Sequence, residues 1–205
     1  MEIKDYPKLE CPFIREMRGE HYIITGEINP GYEWIFEDGV RAVDKLHGTN
    51  LCVIVKDGKI ASIDNRTQRL VDSAYGLPVR LKGMAPRAYE GVIHALEKEH
   101  YVKYLKEGRN YGELIGPRIN GNLHGLDRHL FVPFDYLFES CHWKSWVQNK
   151  YPKDLGSISN WFTTLPSLFS QKMKHDGLAE GLIFYHPDGR RAKLRRDHFP
   201  WYYEK

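Results

Sequence analysis

Three β-prone runs follow one another closely in this chain, and they constrain its fold more than any other feature. Val40 to Asp44 leads through Lys45-Leu46-His47-Gly48-Thr49-Asn50 into Leu51 to Lys56, and Asp57-Gly58 then separates that run from Lys59 to Asp64. Asp-Gly suits a type I′ turn, so the last two runs read as a hairpin. A second hairpin is expected near the C-terminus, where Gly181 to Tyr185 and Arg191 to Arg196 flank His186-Pro187-Asp188-Gly189. Strand-like segments recur at Asn110 to Ile115 and Leu130 to Phe138. Pro86 to Glu107 reads as the best helix, with Tyr89, Val92, Ile93, Leu96 and Leu105 as its apolar stripe. A less regular helical region, Ser157 to Lys174, is interrupted by Pro166. The expected class is α+β, with mainly antiparallel sheets and flanking helices, in a single domain over residues 1–205.

Composition narrows the function classes. The chain has 205 residues, enough for a substantial core. Its 13% aromatic content argues against global disorder. A net charge of +3 allows a nucleic-acid partner without demanding one. No apolar run is long enough to span a bilayer, and the N-terminus carries no signal-peptide pattern. Cys11, Cys52 and Cys141 show neither zinc spacing nor a disulfide framework, which fits a reducing, cytoplasmic setting.

Lys45 is the residue with the most chemistry to offer. It ends one strand, and a glycine turn leads into the next. A lysine held on rigid backbone and short of solvent is one that can lose its proton and act as a nucleophile. Other polar residues stand at strand edges: Arg66 after the first hairpin, Glu113, Glu180, and the alternating pair Lys193 and Arg195, which share one face at period two. Together they suit a nucleoside phosphate, with cations on phosphate oxygens, one carboxylate on ribose and the other on a divalent metal. Taken singly, each has a plainer explanation as a solvated loop or edge-strand charge.

The order of these segments changes the odds. Lys45-Leu46-His47-Gly48-Thr49-Asn50 resembles nucleotidyltransferase motif I in the K-x-H-G-T-N form of RNA ligases. Asn65-Arg66-Thr67 is similar to the arginine motif that follows it. Tyr111-Gly112-Glu113-Leu114 resembles motif III, and Phe131-Val132-Pro133-Phe134-Asp135 the aromatic motif after it. Glu180-Gly181-Leu182-Ile183 resembles motif IV, and Ala192-Lys193-Leu194-Arg195-Arg196 motif V. Read together, the segments resemble the covalent nucleotidyltransferase superfamily, within it the RNA ligase 2-type enzymes. The resemblance implies the fold of a ligase adenylation domain, ATP-grasp-like, with ATP and Mg²⁺ or Mn²⁺ as cofactors and RNA ends as partners, in a cytoplasmic monomer.

The same resemblance assigns roles. Lys45 would attack the α-phosphate of ATP to give lysyl-AMP, AMP would pass to an RNA 5′-phosphate, and a 3′-hydroxyl would then displace it. Glu113 would bind ribose, Phe134 would stack on adenine with Phe131 as its rival, and Glu180 would hold the metal. Lys193 and Arg195 would contact the α-phosphate and favour the neutral amine of Lys45. Arg66 would contact ribose or phosphate. His47 and Asn50 would serve the RNA and sealing steps, His47 having a plainer role within its own turn. Two departures stand out. Motif V usually carries lysine where this chain has Arg195, and the chain continues for only nine residues beyond Arg196. A minimal form without an OB-fold or helical C-terminal domain is therefore expected. The alternatives are a capping-type guanylyltransferase, an enzyme that only adenylates ends, and a non-catalytic RNA-binding module.

Overall fold

The computed structural model describes residues 2–72, 77–78, 82–144 and 153–204. In chain order the strands are β1 (Phe13–Arg18), β2 (His21–Ile28), β3 (Arg41–Lys45), β4 (Thr49–Lys56), β5 (Lys59–Asp64), β6 (Arg69–Asp72), β7 (Leu77–Pro78), β8 (Gly108–Ile115), β9 (Leu130–Pro133), β10 (Gly181–Tyr185) and β11 (Arg191–Arg195). The helices are α1 (Met84–Leu96), α2 (Glu99–Val102), α3 (Phe134–Ser140), α4 (Leu155–Thr164) and α5 (Leu168–Lys172). All strand pairings are antiparallel. The chain divides into two compact units, Met1–Pro7 with His47–Ser140, and Lys8–Leu46 with Cys141–Lys205.

The first unit is built on a six-stranded sheet in the order β7-β6-β5-β4-β8-β9. Its central strand β4 is buried on both faces from Leu51 to Val55, which is why the sequence there is a continuous apolar run rather than an alternating one. The β4–β5 hairpin closes at Asp57 and Gly58, whose φ angles of 53° and 69° are the two positive values a type I′ turn needs. Helix α1 lies on β9 with a face of small residues, Ala85, Ala88, Gly91, Val92 and Ala95. This differs from the expected stripe, since Ile93 and Leu96 remain exposed at 37% and 38%. The surface below is too close for larger side chains: a Cβ on Gly91 would lie within 3.3 Å of the Phe131 backbone nitrogen. The helix also ends earlier than expected, because Lys98 takes an extended conformation between α1 and α2 and Leu105 lies outside both. The segment read as one strand, Leu130 to Phe138, is β9 followed by α3. Pro133 lacks the N–H to extend a ladder, and Asp135 in the next turn favours a helix start.

The second unit holds the sheet β11-β10-β3 and the hairpin β1–β2, which the sequence reading did not anticipate. Position along β3, β10 and β11 decides environment. Ala42, Asp44, Leu182, Phe184, Ala192 and Leu194 all turn to one face and are at most 1% exposed. The apolar members of that set pack with Phe13, Trp34, Ile35, Phe162 and Phe199 in one core cluster. The opposite face carries Arg41, Lys45, Arg191, Lys193 and Arg195, none of them buried, together with the buried Val43 and Gly181. Of the aromatic residues that follow β11, Phe199 is buried, whereas Tyr202 and Tyr203 are 42% and 38% exposed.

Candidate active site

Strand register brings four of the proposed residues onto the charged face of the second unit. Gly181 is paired with Lys45 on β3 and with Arg195 on β11, and the row two residues along joins Val43, Ile183 and Lys193. Lys45, Lys193 and Arg195 therefore point the same way, as period-two alternation requires. Glu180 precedes β10 by one residue, and its carboxylate receives a hydrogen bond from Lys45 Nζ at 2.5 Å. Lys45 Nζ also donates to the Leu46 carbonyl at 3.3 Å. The side chains of Lys45 and Glu180 are only 20% and 13% exposed, so water screens this pair weakly. Arg195 Nη1 stands 3.9 Å from the other oxygen of Glu180, while its Nη2 lies 2.6 Å from Asp197.

Gly181 makes this row possible. A Cβ there would meet the Leu194 carbonyl and lie 2.7 Å from Arg195 Cα, both backbone atoms that cannot swing aside. The glycine after Glu180 is thus a packing requirement that lets β11 carry its cations close to β10. Burial holds the Lys193 ammonium below the usual lysine range, and the nearby Arg195 and Lys45 charges add to the effect while Glu10 opposes it. Lys193 N–H donates to the Glu10 carbonyl at 2.9 Å, which ties β11 to the chain before β1.

Asp44 is a residue the sequence reading passed over. It sits on the core face beside Lys45, 1% exposed. One carboxylate oxygen accepts from Ser167 Oγ at 2.8 Å and from Phe169 N–H at 2.9 Å, fastening the end of β3 to the start of α5. Among the described residues the other oxygen has no hydrogen-bond partner. Burial pushes the Asp44 carboxyl up to about 6 against these hydrogen bonds and the Lys45 charge. Nearby Cys141 is pushed up to about 12 by its own burial and then by the Asp44 charge.

The other proposed residues, His47, Asn50, Arg66, Glu113 and Phe134, belong to the first unit. Asn50 on β4 faces Glu113 on β8 in register, so these two are neighbours. Gly48 lies so close to β8 that a Cβ would meet the Leu114 carbonyl and stand 2.6 Å from Glu113 Cγ. The turn is also held from outside: His47 N–H donates to His124 Nε2 at 3.3 Å, and the Gly48 carbonyl accepts from Asn120 Nδ2 at 2.7 Å. His124 and the run Asn120-Gly121-Asn122 carried no assigned role in the sequence. All three residues of that run take positive φ, which the Asn-Gly-Asn composition signalled without showing what the turn grips. Phe131 is fully buried, whereas Phe134 keeps an exposed part and packs edge-on against Tyr6 at 4.8 Å. Arg66 is 53% exposed and lies 3.7 Å from Asp5.

Among the described residues, no three His, Cys, Asp or Glu side chains are grouped as a metal cage, and no helix is long and apolar enough to cross a membrane. No protein-family model and no curated protein sequence matches the chain. Solved structures of an RNA ligase from Naegleria gruberi do. A lysine-to-methionine mutant with AMP and Mn aligns at TM-score 0.54 and 18% identity, covering 96% of this chain and 61% of the ligase chain. A glutamate-to-alanine mutant with AMP and Mn gives the same values. A lysine-to-alanine mutant in the apo state aligns at TM-score 0.52 and 18% identity, covering 97% and 63%. The chain thus spans about three fifths of the ligase it matches. With its antiparallel sheets, it has the nucleotidyltransferase fold of these RNA ligases.

Proposed function

We propose that the chain is an ATP-dependent RNA ligase working through an AMP adduct on Lys45. The observation that supports this most is the pairing of Lys45 with Glu180 on a sheet face that also presents Lys193 and Arg195. The amine of Lys45 attacks the α-phosphate of ATP, a P–N bond forms, the bond to pyrophosphate breaks, and Lys45 gives up its proton. AMP then moves to an RNA 5′-phosphate, and an RNA 3′-hydroxyl displaces it as the phosphodiester forms. Negative charge gathers on phosphate oxygens at each step, so fixed cations supply stabilisation where it is needed. Lys193 and Arg195 are those cations. Glu113 and Phe134 are assigned to ribose and adenine, Arg66 to ribose or phosphate, and His47 and Asn50 to the RNA steps.

Glu180 fits a divalent ion of the magnesium type, which binds through one or two carboxylates together with substrate phosphates rather than in a full protein cage. When bound, Mg²⁺ or Mn²⁺ supplies charge neutralisation on the phosphates. Glu180 also pairs with Lys45, so the same carboxylate would hold the ion beside the attacking amine. The whole reaction is assigned to residues within 1–205, acting as one adenylation domain.

Incubation with labelled ATP or GTP and Mg²⁺, followed by a denaturing gel, tests the reading. Covalent label from ATP is expected. Label from GTP alone would make the protein a capping-type guanylyltransferase, and label from neither would leave a non-catalytic binding module.

A further inference from the structure

Arg195 occupies a position where the resemblance leads one to expect lysine, and the exchange has a structural counterpart. A guanidinium is a flat fork whose direction decides which oxygens it can meet, whereas an ammonium is a compact point charge. The Arg195 fork lies between two carboxylates, Glu180 at 3.9 Å and Asp197 at 2.6 Å. Asp197 is no loose surface acid. It sits in the turn Arg196–His198 directly after β11, and that turn is anchored by His198. The His198 ring is 1% exposed, and its Nδ1 accepts from the Arg195 backbone N–H at 3.4 Å. Acceptance requires a neutral ring. Burial, reinforced by Arg195, Arg15 and Lys193, provides one by pushing His198 down to about 3.

We infer that Asp197 is a positioning residue, which holds the Arg195 fork off Glu180 so that Glu180 stays with Lys45 and the fork keeps donors for phosphate. The inference rests on the proposed adenylylation at Lys45. Without the Asp197 charge, the carboxylate nearest to Arg195 is Glu180. A two-pronged Arg195–Glu180 pair would then form, compete with Lys45 for that carboxylate and consume the donors of the fork. A lysine at position 195 would have no fork to misdirect, so the need for Asp197 follows from the arginine.

The test compares adenylylation rates and ATP KM for the wild-type chain, Asp197→Asn, Asp197→Glu, Arg195→Lys and the double variant Arg195→Lys/Asp197→Asn. Asp197→Asn should slow the maximal rate about tenfold or more with a much smaller change in KM, because the lost contact acts on the transition state. Asp197→Glu should recover most of that loss. The double variant should match Arg195→Lys alone within about twofold, the coupling expected of residues that act through one another. Asp197→Asn at the wild-type rate, or an undiminished loss in the Arg195→Lys background, would overturn the inference. So would an Asp197→Asn protein that fails to fold, since the Asp197 side chain is 30% exposed and is assigned orientation rather than support of the core. A wild-type chain that takes no label from ATP would instead remove the proposed function itself.

Discussion

Lys45 Nζ lies 2.5 Å from a carboxylate oxygen of Glu180, although 135 positions separate the two residues in the chain. Antiparallel pairing of β3 with β10 places them, with Gly181 directly opposite Lys45. The relation makes Lys45 the expected site of covalent AMP. Lys45→Ala should abolish the mass increase of one AMP, whereas Lys56→Ala, altering an exposed residue at the end of β4, should retain it. Peptide mass spectrometry reads the position, and an adduct on any other lysine would remove the assignment.

Glu180→Ala and Lys193→Ala should each slow adenylylation on the order of a hundredfold, a typical loss for removing a fixed charge that acts on a transition state. Neither side chain belongs to the apolar core, so circular dichroism should remain close to wild type, while Glu180→Ala should also lower the melting temperature because it leaves the largely buried Lys45 ammonium without that partner. A near-normal rate in either variant would refute its role.

Gly181→Ala addresses the packing of the site. The added methyl would meet the backbone of Leu194 and Arg195, so β11 must shift away from β10. Overpacking of this kind costs about 1–3 kcal/mol. Urea denaturation should show that loss, and adenylylation should fall with it because Arg195 and Lys193 travel with the strand. A variant of wild-type stability would mean that the strands yield more easily than their register indicates.

Asp44 and His198 should imprint opposite pH dependences on stability. The Asp44 carboxyl is raised to about 6 in the folded chain, so its contribution is fully present below the unfolded carboxylate value near about 4 and is lost as pH rises through 6. Lys45 and Cys141 share its surroundings. His198, held down at about 3, contributes stability that is present above about 6.5 and lost as pH falls toward 3. Urea midpoints from pH 4 to 7.5 should therefore show the wild-type advantage over Asp44→Asn shrinking with rising pH, and that over His198→Gln growing. Flat difference curves would refute the respective shifts.

The residues proposed for the chemistry were more legible than the ones that hold them. Motif order singled out Lys45, Glu180, Lys193 and Arg195, which the strand register brings together, and alternation along one strand was enough to put the two cations on one face. Hairpins closed by Asp57-Gly58 and by His186 to Gly189 were equally plain, because turn chemistry is local. Asp44, Asn120, His124 and Asp197 were not legible, since their roles depend on partners distant in sequence or on which way a neighbouring fork is turned. The α1 stripe misled for a related reason. Hydrophobicity marked Ile93 and Leu96, but the closeness of the sheet selected Ala88 and Gly91, and closeness is a tertiary property. The β1–β2 hairpin escaped notice because most of its residues are exposed and leave no strong apolar alternation.

The two-faced sheet β11-β10-β3 has a consequence for folding fidelity. Slipping any of its strands by one residue would turn every side chain of that strand to the other face. For β11, such a slip would drive Lys193 and Arg195 into the apolar layer while Ala192 and Leu194 moved out toward water. Charges without partners are expensive there, so the misregistered chain excludes itself energetically. The hydrophobic layer thereby acts as a proofreader, and a molecule that has completed its core has also aligned Lys45 with the cations of β11.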